Sequence, residues 1–154
     1  MQTDRFEQEN KMYLKQFEQG RTFMAKLNYN ADLLEELNKI CLDENIKAGS
    51  ISAIGAVSSL KLGFYDQITK EYIYTTYAYD EPMEIVSCTG NISMKDDKPF
   101  CHVHVIAADK KGKCIGGHLV QGTAIFAGEV VVQEFLGEDL IREIDEETKL
   151  TLWK

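Results

Sequence analysis

The sequence is short of the residues that staple, break or anchor a chain. Its four cysteines, Cys41, Cys88, Cys101 and Cys114, form no Cys-x-x-Cys pair. That argues against a disulfide miniprotein and for reduced thiols, most of them buried as small apolar groups. Only two prolines occur, Pro82 and Pro99, which excludes a collagen-like chain. No run approaches the ~20 apolar residues of a membrane helix. The start, Met1–Gln8, is polar and acidic and lacks the apolar segment of a secretory signal. The expectation is therefore a cytoplasmic protein with no membrane partner. Basic residues are also scarce: 17 Lys and Arg stand against 25 Asp and Glu, a net charge of −8. Duplex DNA binding normally needs a basic stripe, and none is visible, since Lys110, Lys111 and Lys113 share one turn. Gly116, Gly117 and Gly122 lack the lysine and strand–loop–helix setting of a phosphate cradle. No nucleophile elbow is present either, and Gly49-Ser50-Ile51-Ser52 does not make one.

What remains is an ordinary globular composition, 44% hydrophobic and 27% charged over 154 residues. A chain of this size buries roughly 68–70% of its unfolded surface, enough for one core and one domain. Residues 1–11 lack periodicity and read as a flexible tail. Gln19-Gly20 reads as a turn, and 21–27 as a strand with Phe23, Ala25 and Leu27 on one face. Asp32, followed by Glu35, resembles a capping box for a helix over 31–44 carrying Leu33, Leu37, Ile40 and Cys41. Asn45 can take the left-handed conformation that ends it, with Ile46 folding back. Strands are expected at 48–55, 57–65, 72–79, 84–94, 100–108, 114–119 and 123–136, with short edge pieces at 140–144 and 150–153. The apolar runs 48–55 and 57–65 read as separated at a glycine, and the acidic run 138–147 as a solvated tail end. One helix among many strands without βαβ alternation predicts an α+β fold on a mostly antiparallel sheet. The domain is expected over 12–145, with 146–154 as a C-terminal extension. Tyr72, Tyr74, Tyr77 and Tyr79 lack basic companions, so they suggest sheet packing or a subunit contact rather than base stacking.

All three histidines fall within seventeen residues: His102, His104 and His118. On a strand, residues i and i+2 share a face, so His102 and His104 project side by side. A hairpin centred on Lys111-Gly112 returns the chain and brings His118 near them, with Gly116 and Gly117 leaving room for close backbone approach. Three converging imidazoles suit Zn²⁺ or another borderline divalent ion, with one position left open in a catalytic site. The plainer alternative is a polar cluster hydrogen-bonded to itself and to water. Cys114 shares His118's parity and can be a fourth ligand, although a core position is the more ordinary reading. Cys101 has the opposite parity to His102 and should face away.

The segments GSISAIGAVSSLKLGFYD (49–66), EPMEIVSCTGNIS (81–93), KPFCHVHVIAADKKGKCIGGHLVQGT (98–123) and GEVVV (128–132) resemble the PPC domain, the plants-and-prokaryotes conserved domain. The resemblance runs over roughly 13–145. It implies a curved, mostly antiparallel sheet with one main helix, and a homotrimer. In plants the domain follows AT-hook segments and mediates contacts with transcription factors; single-domain prokaryotic members are described as predicted DNA-binding proteins. This sequence has no Arg-Gly-Arg-Pro core, so minor-groove reading by arginines does not carry over. The fold is also similar to that of acetolactate decarboxylases, zinc enzymes with an HxH pair and a third histidine after a hairpin, which His102, His104 and His118 match. The resemblance carries no further than these histidines; Glu129, in GEVVV on the next strand, is a candidate to orient a ligating histidine, or else a structural glutamate at a subunit contact. Arg21 is a candidate to hold a substrate carboxylate, or else a surface arginine. The resulting expectation is a homotrimeric assembly or regulatory module with a three-histidine divalent metal site, zinc by preference, and DNA or transcription-related partners by resemblance only. The alternative is a zinc-dependent lyase acting on a small oxo-acid.

Overall fold

A computed structural model describes residues 12–77 and 81–154. Ten strands and one helix follow in the order β1 (Glu18–Lys26), α1 (Leu33–Asp43), β2 (Gly49–Val57), β3 (Leu60–Asp66), β4 (Glu71–Tyr77), β5 (Met83–Lys95), β6 (Lys98–Ala108), β7 (Cys114–Leu119), β8 (Ile125–Leu136), β9 (Arg142–Ile144) and β10 (Thr151–Trp153). The first eight strands form one curved sheet in the order β1-β8-β2-β5-β6-β7-β3-β4, and β9 pairs with β10. Neighbouring strands pair antiparallel throughout. This is the expected α+β architecture. The tail expected over 1–11 and the proposed strand end at Tyr79 lie outside the described residues. Among the described residues, no helix is long and apolar enough to cross a membrane.

The helix begins where its capping chemistry places it. Asp32 is extended, and its Oδ1 accepts from the Glu35 N–H at 3.0 Å. The reciprocal half of the capping box is missing, because the Glu35 carboxylate takes the Gln121 amide instead. Asp32 Oδ2 also accepts from the Gly122 and Thr123 N–H groups at 2.6 and 3.0 Å, tying the helix start to the β7–β8 connection. The helix ends as its sequence predicts: Asn45 has φ 53°, and the Ile46 N–H donates to the Cys41 carbonyl at 2.8 Å. Leu33, Leu37, Cys41 and Ile46 are fully buried against the sheet. Each large side chain so buried contributes on the order of 1.5–3 kcal/mol.

Strand β6 runs beneath this helix and shows a strict two-residue alternation. Cys101, Val103, Val105 and Ala107 are buried, whereas His102, His104 and Ile106 are not. Asn38 of the helix accepts from the Cys101 backbone N–H at 3.0 Å, fixing α1 to β6 beside His102. The helix thus covers one face of β6 and leaves the imidazoles on the other.

One turn and one strand separation read from the sequence are strand irregularities. Gln19-Gly20 lies inside β1, where the register with β8 shifts between Gln19 and Thr22. Gly55 does not separate two strands: β2 continues to Val57, and the break comes at Ser58-Ser59. Gly55 instead has φ +139° at a register shift against β5, with a Cβ there falling 2.1 Å from the Ala127 carbonyl oxygen. The stretch 138–147 is not simply a solvated end. Arg142 within it is buried, β9 starts there, and β9 pairs with β10 across the expected boundary at 145/146.

Candidate metal centre

Register brings the histidines together. His104 stands directly opposite His118 in the β6–β7 ladder, and His102 is two residues away on the same face. Ring centroids lie 5.2 Å apart for His102 and His104, 5.1 Å for His102 and His118, and 5.4 Å for His104 and His118. One nitrogen from each ring falls within 4.8 Å of the others. Zn–N bonds of ~2.0–2.1 Å in a tetrahedron put nitrogens ~3.4 Å apart, so small side-chain rotations close the set around an ion. The hairpin that creates this register turns on Asp109, whose Oδ1 accepts from the Lys111 and Lys113 N–H groups. At Gly116 a Cβ would sit 2.8 Å from the Val105 carbonyl oxygen, so the close approach of β7 to β6 requires a glycine.

The donor set fits a divalent cation. His118 Nδ1 is buried and has no hydrogen-bond partner among the described residues. An orphaned buried nitrogen is costly unless something occupies it. Burial lowers the His118 pKa to about 4, and the charges of His102, His104 and Arg142 push the same way. Burial also lowers His102, helped by Arg142 and His104. Those two rings are therefore neutral near pH 7, the form that ligates.

The histidines open into a cavity of about 640 Å³ between the sheet and the β9–β10 ribbon. Tyr72 packs on the His118 ring at 5.4 Å and stacks on Tyr74 at 5.8 Å. The charged side chains lining the cavity are Lys70, Lys95, Arg142 and Lys149; no Asp or Glu lines it among the described residues. Arg142 was not legible as a site residue. It is buried with its guanidinium 5.4 and 5.5 Å from the Phe100 and Trp153 ring centres. It donates to Ser93 Oγ at 2.6 Å, Asn91 Oδ1 at 2.8 Å and the Thr151 carbonyl at 3.0 Å.

The remaining candidates lie elsewhere. Glu129 is exposed on β8, with β2 and β5 between it and β6, and sits beside Ile54 and Lys26. It does not reach the histidines. Arg21 clamps a carboxylate of the protein itself: its Nε and Nη2 donate to the two Glu134 oxygens at 2.7 and 2.8 Å, and Nη2 also donates to the Glu44 carbonyl at the helix end. Cys114 is exposed and lies outside the histidine cluster, neither core nor ligand. Cys101 faces away as expected, its Sγ 3.5 Å from that of Cys41 under the helix.

The model of the Plants and Prokaryotes Conserved (PCC) domain matches residues 14–136. The chain belongs to the PCC domain family. A solved metal-containing protein of Archaeoglobus fulgidus is 44% identical, covering 93% of this chain and 99% of that one, with a TM-score of 0.87. A plant- and prokaryote-conserved protein of Pyrococcus horikoshii is 32% identical over 93% of this chain and 97% of that one, TM-score 0.86. A Bacteroides thetaiotaomicron structure described as a candidate DNA-binding protein is 28% identical over 90% and 96% of the two chains, TM-score 0.79. Acetolactate decarboxylase of Bacillus subtilis shares the fold alone, at 10% identity and a TM-score of 0.51 over 78% of this chain and 54% of that one. Among curated relatives, the Bifunctional protein GlmU of Synechococcus sp. (strain JA-3-3Ab) is 29% identical over 130 residues, 83% of this chain. The chain spans 19% of the length of that relative.

Proposed function

We propose that this PCC-domain protein is a homotrimeric assembly or regulatory module that holds a divalent metal ion, zinc by preference, on His102, His104 and His118 and binds a small molecule beside it. The observation that carries this reading is the convergence of three imidazole nitrogens within 4.8 Å at the wall of an open cavity. A bound divalent ion would supply a Lewis acid to an oxygen-bearing ligand. Support also comes from the Archaeoglobus relative, itself described as metal-containing. Exposed Met24, Ile54, Val86, Ile106 and Phe126 on sheet strands give apolar surface for subunit contacts.

A lyase acting on a small oxo-acid is the weaker reading. The pocket and the three converging histidines support it, but the cavity presents no carboxylate general acid or base among the described residues. Duplex DNA is a further alternative, favoured by the description of the Bacteroides relative. Against it stand the net charge of −8 and the gathering of Lys70, Lys95, Arg142 and Lys149 around one cavity. The expected result is no mobility shift of duplex DNA at low salt; a shift that weakens steeply with added salt would reinstate that alternative.

The central test is metal analysis by mass spectrometry of protein purified without a histidine tag. One ion per chain is expected. His104→Ala is expected to lose it while light scattering still reports a trimer. Unchanged stoichiometry in the variant refutes the ligand assignment.

A further inference from the structure

Most of the positive charge at the cavity has no carboxylate partner among the described residues. In a chain of net charge −8, all four ionised side chains lining it are cationic. Lys149 pairs with Glu146, but Lys70, Lys95 and Arg142 have no carboxylate within 4 Å among the described residues. Arg142 is the decisive case. The residue is only 8% exposed, and its three hydrogen-bond acceptors, Ser93 Oγ, Asn91 Oδ1 and the Thr151 carbonyl, are all neutral. A buried cation normally has a counter-ion, because neutral acceptors only partly replace lost hydration. Arg21 shows what this chain does elsewhere, binding Glu134 through two parallel hydrogen bonds. Three of the five Arg142 N–H groups are used, which leaves a planar fork with donors to spare. The rings of Phe100 and Trp153 hold its plane, and the same cavity wall carries the three histidines.

We infer that the missing counter-ion is the ligand: the cavity takes a small carboxylate whose charge sits on Arg142 while a second oxygen reaches the histidine-held ion. Lys95 and Lys70 at the lining attract and retain the same charge. The inference rests on the metal reading above for the second oxygen, but the carboxylate contact itself belongs to Arg142.

The test is calorimetric titration of zinc-reconstituted protein with pyruvate, a small 2-oxo acid, and with hydroxyacetone, which replaces the carboxylate by a neutral alcohol. Wild type is expected to bind pyruvate at least tenfold more tightly than hydroxyacetone. Arg142→Gln is expected to weaken pyruvate at least tenfold, leave hydroxyacetone unchanged and keep its zinc. A folded, zinc-loaded Arg142→Gln protein that binds pyruvate like wild type overturns the inference. So does zinc-loaded wild type that binds neither compound, an outcome that leaves the metal reading standing. Should wild type carry no zinc at the histidines, the metal reading falls instead, and pyruvate binding that still depends on Arg142 upholds the carboxylate contact. Arg142 also anchors the β9–β10 ribbon, so a second variant, Lys70→Gln with Lys95→Gln, guards against misfolding. It is expected to weaken pyruvate about threefold with hydroxyacetone unaffected, and undiminished pyruvate affinity counts against the inference.

Discussion

Replacing Asp32 tests how the helix is joined to the histidine-bearing hairpin. One carboxylate caps α1 through the Glu35 N–H and takes the Gly122 and Thr123 N–H groups on the other side. Loss of an N-cap costs ~1 kcal/mol. A hydrogen bond to a charged acceptor contributes about 1.5–3 kcal/mol, and here the lower end applies, because Gly122 is exposed and water can replace its partner. Thr123 is fully buried and has less recourse to water. Asp32→Ala is therefore expected to destabilise by about 2–4 kcal/mol. With an unfolding entropy of about 2.1 cal/mol/K per residue, a chain of this length loses about 6–12 °C in Tm. Asp32→Asn keeps one acceptor oxygen and is expected to lose about half as much. Thermal and urea unfolding followed by circular dichroism measure both. The three histidines should keep their places, and the metal content measured for wild type should be unchanged, since β7 is still paired with β6 and β3. An alanine variant within about 0.5 kcal/mol of wild type, the ordinary range of surface substitutions, would refute the bridging role.

The Arg21 guanidinium holds the Glu134 carboxyl at a pKa of about 2, well below its ordinary 4.5. The stability this contributes is present above pH 4.5 and drains away as pH falls from there toward 2. Because Arg21 is half exposed, solvent screening limits it, and Glu134→Gln is expected to cost about 1–2 kcal/mol at pH 7. Urea midpoints measured from pH 7 to 3 should show wild type converging on the variant. Thiol labelling gives a separate check on the core. Cys114 is exposed, whereas Cys41, Cys88 and Cys101 are buried, and burial pushes the Cys88 thiol up to about 11. One thiol per native chain should react rapidly with an aromatic disulfide reagent and three only on unfolding; two or more fast thiols would contradict the burial of Cys41, Cys88 and Cys101.

Much of this architecture can be read locally. The helix is signalled at both ends by residues whose chemistry acts within a few positions, Asp32 toward Glu35 and Asn45 beside Ile46. The histidine cluster is legible because its geometry reduces to one strand period and one short hairpin, so that His102, His104 and His118 need no distant information. Arg142 is illegible for the opposite reason. It sits among Glu138, Asp139, Glu143 and Asp145, which suggest a solvated segment, while the groups that receive it, Asn91 and Ser93, lie 51 and 49 residues away. The available sign was a single basic residue amid Leu140, Ile141 and Ile144, an apolar setting at odds with a tail. Arg21 misled in the same way: its carboxylate is Glu134, 113 residues on. Glu129 was placed by chain proximity, whereas strand order separates β8 from β6 by two strands.

The alternation along β6 also constrains how this chain can change over time. Its odd-numbered residues pack under the helix and its even-numbered ones carry the imidazoles. Gaining or losing one residue between Cys101 and Ala107 would swap these roles, turning valines outward and driving ring nitrogens into an apolar interior. Descendants of this sequence can therefore exchange side chains along the segment while its length stays frozen. The loop at Asp109–Lys113, by contrast, can vary in size only so far as it returns His118 to its place opposite His104.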